Sequence, residues 1–241
     1  MLILPFRNFA QDPSVLLKEA ARLEGEFKES EAFVTYAEVL KLQPDNLFAL
    51  CKCSDLCCRI GGRQTDKAKK ITYFKAGKNY AEAAYRLNPN NCDANIVMAF
   101  STARMALVEG GKEKVVSAGA IKQYAEKAIQ CDPSNFKAYH ILGRWHYEIS
   151  SLNNVEKTLA KWFCGPLPEA SLQESIRNFE KSRSLDPAFI PNYLELARAY
   201  EREGQRSKAV QLLVYMMTLP DRMYDDRRAK HEGQQLLEEW K

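Results

Sequence analysis

"QYAEKAIQCDPSNFKAYHILGRWHYEI", residues 123–149, places a proline between two amphipathic runs. Before Pro133, Tyr124 and Ala128 fall on one helical face and suit packing against a partner helix. Pro133 cannot donate an interior helical hydrogen bond, so the first helix ends there and a second begins. After it, Ala138, Tyr139, Leu142 and Gly143 form a second stripe, and Gly143 permits close approach of two helices. The stretch reads as one helical hairpin joined to the next.

The same pattern recurs along the chain. "LQPDN" at Leu42, "LNPNN" at Leu87 and "LDPAF" at Leu185 match the turn around Pro133. Each follows an amphipathic segment with an aromatic residue (Tyr36, Tyr80, Phe179) eight or nine residues before the proline. Ala84, Ala128 and Ser182 hold the small-residue position, and Val39 stands there in the first copy. After Pro187 come Tyr193, Leu196, Ala197 and Tyr200, then Gly204 as a turn and Ala209 in the next helix. This is the tetratricopeptide pattern, a helix–turn–helix of about 34 residues.

The period is stretched by extra residues near Gly61, near Gly110 and from Ser150. Val155, Leu159, Trp162 and Phe163 recur at helical spacing, and Gly165-Pro166 stops that run, which predicts an inserted helix. The expected fold is all-α. It is a right-handed superhelix of tetratricopeptide-like helical hairpins, about eleven helices in all, with an inserted helix and a polar C-terminal capping helix from about Met223. Residues 1–12 read as a flexible lead-in or the remnant of a trimmed secretory signal, and 13–241 as a single domain sharing one core.

Composition narrows the function classes. With 27% charged residues and a net charge of +4, the chain is neither disordered throughout nor basic enough to imply nucleic acid. No apolar run is long enough for a transmembrane segment. Seven cysteines without even spacing favour a reducing, cytoplasmic setting over a disulfide scaffold; a periplasmic or secreted setting follows only if residues 1–11 are a trimmed signal. The three histidines form no catalytic motif, no phosphate-loop or nucleophile-elbow sequence occurs, and neither a cofactor nor a metal is expected.

"GGKEKVVSAGAIKQYAEKAIQCDP", "HILGRWHYEI" and "LAKWFCGPLPEASLQESIRNFEKSRSLDPAF" carry a narrower likeness. With Leu142-Gly143-x-Trp145, the Ala160-Lys161-x-Phe163 insertion, Pro166, Pro168 and Asp186-Pro187-x-Phe189, the stretch from Gly110 to Pro220 resembles the C-terminal domain of the regulator of microtubule dynamics family. The resemblance implies a binding domain from proteins that are membrane-anchored or associate with microtubules, one of which binds phospholipid and tethers organelles. The chain shows neither an anchor nor a long N-terminal region, so the domain's binding capacity is what carries over.

In such a superhelix the first helix of each pair lines the concave face. Helical projection from each proline assigns to it Phe48, Cys51, Cys58 and Arg59; then Ile96, Phe100 and Arg104. The later repeats add Lys137, His140, Arg144 and Tyr147, then Arg198 and Arg202. This mixed apolar and basic set suits a partner protein or acidic peptide, or an anionic phospholipid. The alternative is that Asp55, Asp93, Glu148 and Glu201 pair with the arginines and merely solvate the groove.

Two further clusters invite chemistry. Lys67, Lys69, Lys70, Lys75 and Lys78, interleaved with Tyr73 and Phe74, fit an acidic membrane or tubulin tail, or a solvated helix face. "ALCKCSDLCCRIGG", residues 49–62, holds four cysteines on one helix, which cannot converge on a zinc ion. Cys53 and Cys57 fall in core positions, and Cys51 and Cys58 in groove positions.

Overall fold

The computed structural model describes residues 12–109, 111–153, 158 and 169–240, with the backbone alone for 111–116. Among these residues the chain is helical, without strands. The first hairpin is α1 (Pro13–Gly25) and α2 (Glu29–Leu42). Next come α3 (Leu47–Gly62) with α4 (Lys67–Leu87), and α5 (Cys92–Ala106) with α6 (Gly111–Cys131). Then follow α7 (Phe136–Ser150) with α8 (Leu172–Leu185), and α9 (Ile190–Arg202) with α10 (Arg206–Thr218). The final helix is α11 (Asp226–Glu239).

The repeated turns work through asparagine. Two residues after each of the first three repeat prolines stands Asn46, Asn91 or Asn135, in extended backbone at the helix N-cap. Their Oδ1 atoms accept from the amides of Ala49, Ala94 and Lys137, at 3.0, 2.9 and 3.1 Å. Each bond satisfies one of the donors left over at a helix start. In the fourth turn Phe189 cannot cap, and Pro191 instead removes a donor from the first turn of α9.

The stretches expected to lengthen helices or loops near Gly61 and Gly110 lengthen helices: α4 and α6 each run to 21 residues. The proposed inserted helix, with Val155, Leu159, Trp162 and Phe163, lies outside the described residues.

The core is a relay rather than one ball. Tyr36, Val39, Cys53 and Leu56 pack α1 to α3, and Leu50, Cys51, Ala81 and Val97 continue it into α5. Ala99, Ala125, Ala128 and Trp145 carry it through α7, and Phe179, Leu196, Leu213 and Met216 complete it. Leu40, Tyr80 and Tyr124 each touch two successive clusters. Gly143 joins the last two: a Cβ there would stand 2.7 Å from the Phe179 ring, so α7 and α8 approach this closely only through glycine.

In the basic run on α4, Lys67, Lys69 and Lys75 are exposed and Lys70 and Lys78 half-buried. Phe74 is buried under Gly61, so its ring does not reach the lysine surface.

Candidate functional site

The first helices of the hairpins, α3, α5, α7 and α9, together with α11, surround a cavity of about 410 Å³. Its ends meet. Arg63 Nη1 lies 3.0 Å from Asp225 Oδ2, and its guanidinium stacks over Tyr224 at 4.4 Å from the ring centroid. Arg228 Nη1 reaches the Gly62 carbonyl at 3.4 Å. The C-terminal helix therefore closes the superhelix against the end of α3, across 162 residues of sequence.

Eight of the anticipated residues line this cavity: Arg59, Ile96, Phe100, Arg104, Lys137, His140, Arg144 and Arg198. Five do not. Phe48 is half exposed, edge-on to Tyr36 at 6.1 Å and beneath Lys52. Tyr147 and Arg202 stack on each other at 5.2 Å, while Arg202 also donates to the Tyr147 carbonyl and to Ser150. Cys51 and Cys58 are buried, not in the groove. Cys51 is packed with Val97 and Met98 between α3 and α5, and Cys58 faces Gly77 of α4. Neighbouring inner helices cover each other's flanks, so a face drawn from one isolated helix is too wide.

Cys53 and Cys57 are also buried. Burial pushes the thiols of Cys51, Cys53 and Cys57 up to about 12, and that of Cys58 upward as well. Such groups stay protonated at neutral pH, which disfavours the thiolate as a nucleophile. Among the described residues no cluster of His, Cys, Asp or Glu is placed to hold a metal ion. The cysteine count favours a reducing setting over a disulfide scaffold, and four of the described cysteines are free, but one pair is bonded. Cys92, first in α5, is bonded to Cys131, last in α6, with Cα atoms 5.5 Å apart. The two half-cystines are remote in sequence, and only the hairpin geometry brings them together.

The cavity's arginines differ in how they are held. Arg59 pairs with Asp55 at 3.2 Å, with Glu24 at 3.5 Å, and closely with Glu29, which is 2% exposed. Arg144 donates to Glu195 at 3.0 Å and to Glu148 at 3.2 Å, and the Glu195 charge keeps its guanidinium firmly protonated. Arg198 bonds Glu195 at 3.2 Å and also Glu232. Of the anticipated acidic partners, Asp55 and Glu148 do pair with groove arginines, whereas Glu201 pairs with Arg206 outside the cavity.

Arg104 is different. Its guanidinium lies over the Phe100 ring at 4.8 Å, with no acidic partner among the described residues, and its Nε is buried without a hydrogen bond. Burial, and then the neighbouring Arg144 charge, destabilise its cationic form. Lys137 and Arg228, also on the wall, have no ion-pair partner among the described residues. His140 sits beside them. Asn192 Nδ2 donates to the Phe179 carbonyl at 2.8 Å, which turns its Oδ1 toward His140 Nδ1 at 3.1 Å. The proton of the neutral ring is thus assigned to Nδ1. Burial lowers the His140 pKa to about 4, so it adds no charge at neutral pH.

Helical projection missed the contribution of α11. Asp225, Arg228, Ala229 and Glu232 line the cavity at spacings of three, four and seven residues, a one-face stripe legible in "DDRRAKHEG". Among the described residues no helix is long and apolar enough to cross a membrane.

Comparison with known proteins matches residues 16–241 to the family model for Regulator of microtubule dynamics protein 1-3. Regulator of microtubule dynamics protein 3 of Xenopus laevis is 28% identical over 76% of this chain and 39% of its own length. Protein 2 of Homo sapiens is 28% identical over 72% of this chain and 42% of its own, and protein 1 of Bos taurus 26% identical over 79% and 60%. The chain thus spans about two-fifths of the first two relatives. Among solved structures it resembles TTC0263, a thermophilic tetratricopeptide-repeat protein of Thermus thermophilus. The TM-score is 0.67 at 10% identity, covering 93% of this chain and all of that one. A monomeric IFIT1 mutant solved with Gppp-AAAA follows at 0.54 and 16% identity, over 98% of this chain and 56% of that one. At these identities the likeness shows the tetratricopeptide fold alone.

Proposed function

Because the chain belongs to the regulator of microtubule dynamics family, we propose that its tetratricopeptide-like superhelix is a non-catalytic module that binds a partner protein by an acidic peptide segment. The observation that carries this reading is Arg104. A half-buried guanidinium whose Nε has no hydrogen bond, and which has no carboxylate among the described residues, gains from an incoming anion that completes it. Lys137 and Arg228 add two more cations without an acidic partner among the described residues to the same wall. Anionic phospholipid offers similar headgroup chemistry. The peptide is preferred because Asp55, Glu195, Asp225 and Glu232 alternate with the cations around the wall, an environment for polar backbone rather than acyl chains.

The test is titration with a synthetic glutamate-rich peptide, followed by calorimetry at several salt concentrations. Binding should weaken with salt and fall at least tenfold in Arg104→Gln. Stoichiometric phospholipid recovered from the purified protein, together with no peptide binding, refutes the reading.

A further inference from the structure

Beside the charged cavity lies a second space of about 180 Å³. Phe100, Arg104, His140, Ile141 and Arg144 form the wall common to both. The far side is apolar apart from Glu148, whose carboxylate is held by Arg144 at 3.2 Å: Ala103, Leu107, Ile121, Trp145 and Ile149 form the rest of it. Trp145 spends its only donor on the Ala118 carbonyl at 2.7 Å, so the indole offers this slot no free hydrogen-bonding group. Leu107, at the end of α5, is 59% exposed, an apolar residue left in solvent at the slot. A cavity of roughly 150 Å³ suffices to hold a benzene ring. The slot therefore has room for one large side chain.

We infer that the module reads two adjacent features of its peptide: an acidic side chain received by Arg104, and a bulky apolar side chain, aromatic or branched, seated in the slot between α5, α6 and α7. This rests on the peptide-binding reading above and specifies the occupant. Charge complementarity at Arg104 decides for a peptide with this pairing, since of the cavity's cations without an acidic partner among the described residues it is Arg104 that stands on the shared wall. An extended chain advances about 3.3 Å per residue, so the acidic and apolar residues lie within about two positions of each other.

Competition among blocked synthetic peptides, read by fluorescence anisotropy, tests this. The parent carries glutamate next to phenylalanine; one relative has glutamine for glutamate, another alanine for phenylalanine. Each change should weaken binding to the wild-type protein by about tenfold or more. Arg104→Gln should erase the glutamate preference and keep the phenylalanine preference. Ala103→Met, which fills the slot with a flexible side chain, should do the reverse. If acidic peptides bind equally well with alanine or phenylalanine, the two-feature inference is overturned while the peptide module stands. If no acidic peptide binds, both fall. Displacement of bound peptide by anionic phospholipid vesicles in wild type and Ala103→Met alike, with no loss in Arg104→Gln, also overturns it.

Discussion

Arg59 and Arg104 occupy the same place in successive repeats, on α3 and α5, the same distance beyond Pro44 and Pro89. One turn earlier, repeat one has Asp55 and repeat two has Phe100. Arg59 therefore meets a carboxylate on its own helix, and Glu24 and Glu29 close in from α1 and α2. Arg104 meets a ring and, among the described residues, no acid. The first arginine is structural: its charge is consumed in holding α2, α3 and, through Arg63 and Asp225, α11. The second keeps its charge for something else. Repeat two compensates with a different brace, the Cys92–Cys131 bond across its hairpin. Residue type alone does not distinguish a clamp from a binding group; what stands around it does.

The largest effect should come from removing that difference at the first site. Glu29→Gln leaves Arg59 and Arg63 without their most buried partner, and breaking a buried pair costs roughly 3–5 kcal/mol. Urea denaturation reads the loss; a change within experimental error would show the pair to be dispensable. Reducing the disulfide removes the brace of repeat two. Its half-cystines are 39 residues apart, and a loop of that size corresponds to about 4 kcal/mol in the chain-entropy model, or about 2–4 kcal/mol in practice. Thermal melts with and without dithiothreitol should differ in the wild type and coincide in Cys92→Ser.

A smaller effect, of opposite sign, belongs to Arg104. Arg104→Met should leave the unliganded protein as stable or about 1 kcal/mol more so, because a half-buried cation whose Nε lacks a hydrogen bond costs free energy. Phe100→Asp should make repeat two resemble repeat one. The new carboxylate pairs with Arg104, and affinity for the glutamate-rich peptide drops about tenfold although Arg104 is untouched. Retained affinity in that variant would place the anion elsewhere.

Near neutral pH the smallest effect is the pH slope from His140, which grows only in acid. Burial, and more weakly the Arg144 and Arg104 charges, lower its pKa to about 4, against the bond to Asn192. The folded state therefore holds the ring neutral while the unfolded chain takes up a proton below its ordinary value of 6.5. This contribution is fully present above pH 6.5 and is lost as pH falls toward 4, by at most about 1.4 kcal/mol per pH unit. The difference between wild type and His140→Gln, measured by denaturation across that window, isolates it. Peptide bound at Arg104 should raise the His140 pKa, visible in its NMR titration.

Much of this architecture is legible along the chain. The repeat prolines, the aromatic and small residues before them, and Gly143 mark out the hairpins, because helix termination and face periodicity are local properties. The inner faces of α5 and α7 are nearly right for the same reason. The cysteine assignments failed where locality ends: Cys51 and Cys58 point to the inner side of an isolated α3, but α5 and α4 pack over them. The asparagine caps are present in the letters, two residues after three of the prolines.

The sequence by itself determined that this chain is a stack of helical hairpins with arginines at repeated inner positions. Which arginine is neutralised was decided by the tertiary structure. Glu29 lies 30 residues from Arg59, and Asp225 lies 162 from Arg63. Those pairs form only when the superhelix closes, because ion pairing depends on distance in space and not along the chain.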